Sequence, residues 1–425
     1  MSFLGMRGTA GWAANQRPES FRETILYLYP NGMAPLTAML SMLKNQEIND
    51  PVRHWFTKTL QTRSGAITGV YTDAGLNTAY TSGGVAGDNL YIKMAAATVA
   101  HFVVGAQVLL RDASNLDVDV NAKVLARVSN GASSYLQVKL LEADDNSASN
   151  DLSDADTILR IGNINSEGSA VPSSLKYDPV EYTNNCQIFR TPVDMTNTAI
   201  ATKLRTGDPW KEDIREALEY HGVDMEMAFF WGKKSSGTGS NGQPERTLDG
   251  IIPFTKTNNA SGVHNFVTDT SYSGKTWLQA GETWLDTKLE VFFRYGQPEG
   301  LGFCGSGALL GLQRLAKATG QIKLETAQKD YGIEVTTWRT VFGPLHLKTH
   351  PLFSYETSNQ NMIVALRPKN VTYEYLPGRD TFIDKDVQIP GVDGKTDCYT
   401  TECTLEYAHP ETFNIFYGVG QDNAV

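Results

Sequence analysis

Apolar and polar positions follow three different rhythms along the chain, and each change of rhythm marks a change of structure. Near the N-terminus, Pro35 opens a short run, PLTAMLSML, in which Leu36, Met39, Leu40 and Leu43 share one face at helical spacing. A helix this short cannot make a core of its own. The first reading is therefore an arm, residues 1–45, that docks on another body, with Leu36, Met39, Leu40 and Leu43 as its assembly contacts.

From Asp50 to Val70 the pattern is strand-like, with Trp55, Phe56, Leu60 and Ile67, and between about Asp88 and Ile164 the period settles at two. LYIKM, HFVVGAQVLLRD, DVDVNAKVLARV, SSYLQVKLLEA and TILRIG read as short strands, with Asn130-Gly131 as a hairpin turn. This is a small β barrel or sandwich, about 88–164, set within a longer region, 46–190. The polar spacer DDNSASNDLSDAD reads as a loop, and GNINSEGSAVPSSLKYDP as an exit linker.

The third rhythm begins near Thr206. Asp208 is a suitable N-cap, Pro209 suits the first helical position, and Glu212 and Asp213 lie where the helix dipole favours negative charge. Ile214, Ala217, Leu218, His221, Met225, Ala228 and Phe229 recur at helical spacing, and Ile214, Leu218, Met225 and Phe229 are taken as the core face. Gly232 stops the helix. At about 1.5 Å per residue it would be about 35 Å long, with Gly222 as a plausible bend. Beyond it, ETWLDTKLEVFFRYG and GALLGLQRLAKAT read as helices, and LGFC, IEVTTW, VFGPLHLKTH, MIVALRP, VTYEYLP, TECTLEY and FNIFYGV as strands. Helices and strands mixed in this order indicate an α+β fold. The remaining segments divide as 191–275, 276–370 and 371–425.

Composition narrows the function. With 425 residues, 41% hydrophobic and 20% charged, the chain has material for two or three domains rather than a disordered polymer. A net charge of -10 and a pI near 5.3 leave no basic footprint for nucleic acid. No apolar run approaches the roughly 20 residues of a membrane span, and the opening residues lack a signal core, so the expected setting is the cytosol that makes the chain. Cys186, Cys304, Cys398 and Cys403 are too few and too dispersed for a disulfide framework, and read as reduced core thiols.

Candidate chemistry is thin. Ser273-Gly274-Lys275-Thr276 imitates the end of a phosphate loop, but Asp269 stands where its first glycine belongs. Asp117 to Asn121 imitates a calcium loop, but Ala122 replaces the turn glycine and Val128 the bidentate glutamate. His54, His101, His221, His264, His346, His350 and His409 form no ligand motif, and Ser306 between Gly305 and Gly307 lacks nucleophile-elbow spacing. No catalytic, cofactor-binding or metal residue is assigned.

The strings RPESFRETILYLYPNGMAPLTAMLSML, RHWFTKTL, NNCQIFRTPVDMTNTAIAT, WKEDIREALEYHGVDMEMAFFWGKK, RTLDGIIPF, CGSGALLGLQRLA, YGIEV and LHLKTHPLF occur in the order in which similar segments occur in tailed-bacteriophage major capsid proteins. The chain resembles that family over most of its length outside the β insertion. The resemblance implies the Hong Kong 97-type α+β fold: an N-terminal arm, an extended loop carrying the insertion, a peripheral domain with a spine helix at about 209–231, an axial domain at 276–370, and C-terminal strands completing both. It also implies a virion protein that forms pentamers and hexamers around double-stranded DNA without reading its sequence. Portal, scaffolding and decoration proteins would be its partners, with assembly in the bacterial cytoplasm. Two other readings compete: a hydrolase or other enzyme with a β-rich substrate-binding insertion, and a surface adhesin. Failed motifs weaken the first and the missing signal core the second.

Overall fold

The computed structural model describes residues 34–43, 45–59, 63–115, 118–144, 151–169, 171, 173–202, 208–295, 299–319, 325–330 and 333–425. The chain forms two compact units: Lys58–Val180, and a larger one made from the chain on either side of it. The strand Val52–Thr57, which leads out to the first unit, pairs with Val180–Asn185, which returns from it.

The Lys58–Val180 unit is a seven-stranded antiparallel sheet ordered 64–66, 157–163, 106–111, 119–128, 135–140, 89–93, 69–71. Its strands alternate as the period of two requires: in Ala106–Arg111 every second residue is buried. Val108, Leu110, Ala122, Val124, Leu136, Val138 and Ile158 meet in one core, to which Phe102, Tyr80 and Leu152 add from the connections. The β runs read between Asp88 and Ile164 all lie in this unit, which also takes in flanking residues on both sides.

The helices of the larger unit include α1 (Pro35–Met42), α2 (Pro209–Trp231), α3 (Ile251–Asn258), α4 (Trp277–Phe293), α5 (Ser306–Thr319) and α6 (Pro351–Tyr355), besides a short one at Asn197–Ala201. One sheet orders 45–47, 371–375, 394–407, 187–196, with 382–384 also pairing on 394–407. α1, α2 and α3 share a core with it that contains Leu36, Met225, Phe229, Phe254, Tyr373, Leu405 and Tyr407. A second sheet orders 263–265, 414–417, 363–366, 300–304, 344–349, 333–339, 325–330. Its central strand Gly300–Cys304 is wholly buried, as a strand covered on both faces must be. Trp284 and Leu285 of α4 and Leu312 and Leu315 of α5 pack with Phe416 and Leu347 in the core associated with it.

The run LDGIIPF becomes the start of α3. Gly232 and Gly250 allow that turn: Gly250 N donates to Gly232 O at 2.6 Å, and a Cβ on Gly232 would stand 2.5 Å from the Ala228 carbonyl oxygen. All four cysteines are buried free thiols. No helix is long and apolar enough to cross a membrane among the described residues.

Candidate assembly site

The long helix starts as its sequence dictates. Pro209 occupies the first turn, and Asp208 accepts from Trp210 N at 3.1 Å. It then runs unbroken past Gly222 to Trp231.

Its buried residues are Ala217, His221, Met225, Glu226, Phe229 and Phe230. Met225 and Phe229 therefore lie in the core, and Ile214 is half-buried. Leu218 does not lie there: it is 44% exposed, and the core assignment for it is wrong. The buried stripe is not straight. In the first half of α2 it faces the sheet, where His221 bonds Thr191 Oγ1 at 2.9 Å and Thr401 Oγ1 at 2.7 Å. In the second half Phe229 still packs on Tyr373 of the sheet while Glu226 and Phe230 widen the stripe toward α1 and α6, and Leu218, one residue past Ala217, falls outside it. Burial pushes the His221 imidazole below its ordinary value, with Asp224 opposing.

Glu226 of α2 reaches two other helices. It is 0% exposed. Its Oε1 accepts from Leu36 N at 2.7 Å, and its Oε2 from Thr37 N at 2.8 Å and Thr37 Oγ1 at 2.6 Å. These amides belong to the first turn of α1, whose N–H groups have no partner within the helix, so a carboxylate of α2 supplies the cap. His350 Nε2 lies 2.8 Å from the same Oε1. Because Leu352 N donates to His350 Nδ1 at 3.2 Å, capping α6, the proton resides on Nε2 and points at Glu226. Phe230 and Phe353 enclose the imidazole, at centroid distances of 5.0 Å and 4.6 Å. One carboxylate thus joins α1, α2 and the start of α6.

This arrangement corrects the reading of the arm. Leu36, Met39 and Leu40 are 0–1% exposed and sit in the core of their own chain, while Leu43 packs half-buried at its edge. A neighbouring molecule is not needed to cover them. Residues 1–33 of the arm lie outside the described residues.

A second charge cluster, with Glu374 buried and Arg53 and Glu406 half-buried, lies at the strand that leads to the Lys58–Val180 unit. Arg53 meets Glu374 at 3.1 Å and Glu406 at 2.6 Å. Burial, and after it the neighbouring Glu406, hold the Glu374 carboxyl well above the usual carboxylate range, against the pull of Arg53.

No group of three or more His, Cys, Asp or Glu is poised for a metal among the described residues. Lys275 sits in a turn where Ser273 Oγ and Gly274 N both donate to Val425 O, at 2.6 Å and 2.9 Å. Ser306 begins α5. Sequence reading passed over Glu226, because a glutamate inside a helix looks like any solvated one. The only signal was its place between Met225 and Met227, on a stretch that is otherwise apolar as far as Trp231.

Large apolar side chains remain outside. Ile188 is 50% exposed, Met227 42%, Tyr355 70%, Ile389 75% and Val341 94%.

The major capsid protein of Pseudomonas phage PaMx41 is 24% identical over 417 residues, 94% of this chain and 92% of that one. Among solved structures, those of Mycobacterium phage Bobi (TM-score 0.47, 7% identity, 95% and 96% of the two chains) and Microbacterium phage Oxtober96 (TM-score 0.42, 9% identity, 94% and 95%) are similar. The model of the SU10 major capsid protein family matches residues 6–420. With nearly its whole length inside that match, the chain belongs to the SU10 major capsid protein family and is a phage capsid protein rather than an enzyme.

Proposed function

We propose that this capsid protein assembles into pentamers and hexamers that close into the icosahedral or prolate head of a tailed phage around double-stranded DNA. In this reading α2 is the spine of a peripheral domain, 191–275, residues 276–370 form the axial domain, 371–425 complete both, and 46–190 form the extended loop. This is the Hong Kong 97-type arrangement. Portal, scaffolding and decoration proteins are its partners, and assembly takes place in the host cytoplasm before the chain becomes part of the virion.

The observation that carries the reading is an internally tied body that leaves Ile188, Leu218, Met227, Tyr355 and Ile389 exposed. A shell subunit meets copies of itself on several sides, so apolar groups outside a closed core have an occupant. The test is sedimentation velocity with negative-stain imaging of the purified chain across concentration. Capsomers or closed shells are expected, and a compact monomer at every concentration would sink the proposal.

A further inference from the structure

The Lys58–Val180 unit has two electrically different ends, and strand register determines which residues share each. Arg111 pairs with Asp119 on one neighbour and with Thr157 on the other, and Ala122 pairs with Leu140. That end therefore gathers the exposed acids Asp119, Glu142, Asp154 and Asp156. The cations nearest in register are Arg111, already bound to Asp119 at 2.6 Å, and Lys123 and Lys139, which pair with each other one residue inside that end.

At the opposite end of the same strands, Ala106 pairs with Asn163. There a cavity of about 380 Å³ is lined by Lys58, Arg63, His101 and Arg160 together with Asn163 and Tyr177, and by no carboxylate among the described residues. Arg127 stands nearby, donating to Ala100 O at 3.2 Å. The acids of the following segment, Glu167 and Asp178, stay outside the lining. Among the described residues no ion pair holds Lys58, Arg63 or Arg160. A six-residue strand is about 20 Å long, while salt screens charges beyond roughly 8–10 Å. The two ends therefore do not neutralise each other.

We propose that this cavity receives carboxylates from the acidic end of the same unit in a second copy of the chain, a head-to-tail contact. A protein with net charge -10 repels its own copies, and setting its cations against its acids offsets that repulsion. Head-to-tail contacts close into rings when the rotation between copies permits. The inference rests on copies packing together, the part of the capsid reading that capsid proteins share.

The experiment uses the full chain and measures the assembled fraction by sedimentation. Arg63→Glu with Arg160→Glu should lower that fraction about tenfold, and adding Asp119→Lys with Asp154→Lys to the same chain should restore it. Circular dichroism checks folding. If the reversed-charge chain does not fold, the milder Arg63→Gln with Arg160→Gln should still flatten the loss of assembly that added salt causes in the wild type. Assembly indifferent to all these changes, or a folded four-site variant that stays unassembled, overturns the contact. Unchanged assembly with lost binding of inorganic phosphate or a DNA duplex also overturns it and reassigns the cavity to phosphate. A wild-type chain that never associates overturns self-association itself, and this contact with it.

Discussion

A carboxylate without solvent survives in a core only when its oxygens find donors, and Glu226 finds four: Leu36 N, Thr37 N, Thr37 Oγ1 and His350 Nε2. Glu226→Gln places an amide donor among donors and should cost about 1–3 kcal/mol. Thr37→Val removes one donor and should cost about 1 kcal/mol. Because both act on one carboxylate group, a double-mutant cycle in urea should show coupling above about 0.5 kcal/mol; strictly additive losses would mean the junction is not a unit. His264 makes the residue scale sensitive to pH. It is buried, its Nε2 has no hydrogen-bond partner among the described residues, and burial, reinforced by Lys288 and opposed by Asp269, lowers its pKa from 6.5 to about 4. Between those values the unfolded chain binds the proton and the folded one does not. The contribution of His264 to stability is therefore complete above 6.5 and is lost as pH falls toward about 4. Urea midpoints should drop through that window, and His264→Phe should shallow the slope. An identical slope in the variant would remove His264 as the cause.

At the scale of elements, α2 tests how far periodicity can be trusted. Its buried stripe passes through Ala217, His221, Met225 and Phe229 and widens to Glu226 and Phe230 near the C-terminal end. Met225→Ala should cost about 2–5 kcal/mol, as in other cores. Leu218→Ala, on the exposed side, should cost about 1 kcal/mol or less. Denaturant unfolding of the unassembled subunit distinguishes them, and equal losses would contradict the placement of Leu218. α1 carries the same lesson in reverse. An eight-residue helix has too few internal bonds to persist alone, yet it is capped by Glu226 and buried by its own chain. Removing residues 1–43 would therefore take away core side chains, not merely a docking arm.

For the molecule as a whole, the division into two units has an energetic consequence. Among the described residues, the core of the Lys58–Val180 unit is built from its own side chains, from Ile67 to Ile158. Produced as a separate fragment, these residues should unfold in one cooperative thermal transition followed by circular dichroism. A gradual melt would mean that the fragment depends on the rest of the chain.

What the sequence determined by itself is what local physics controls. Period-two alternation placed the strands of the Lys58–Val180 unit, since each strand is a pleated ribbon with one face in the core. Asp208, Pro209 and Gly232 bounded α2, since capping acts over single turns. Ordered segment resemblance carried the capsid reading. Tertiary structure alone decided which side of α2 faces inward, because that depends on where the sheet, α1 and α6 lie. It alone turned Glu226 and His350 from a helical glutamate and an isolated histidine into one junction, across 124 residues of chain. It alone brought Lys58, Arg63 and Arg160 into one cavity. Such contacts join residues whose spacing along the chain carries no signal, and only the packed chain sets their partners.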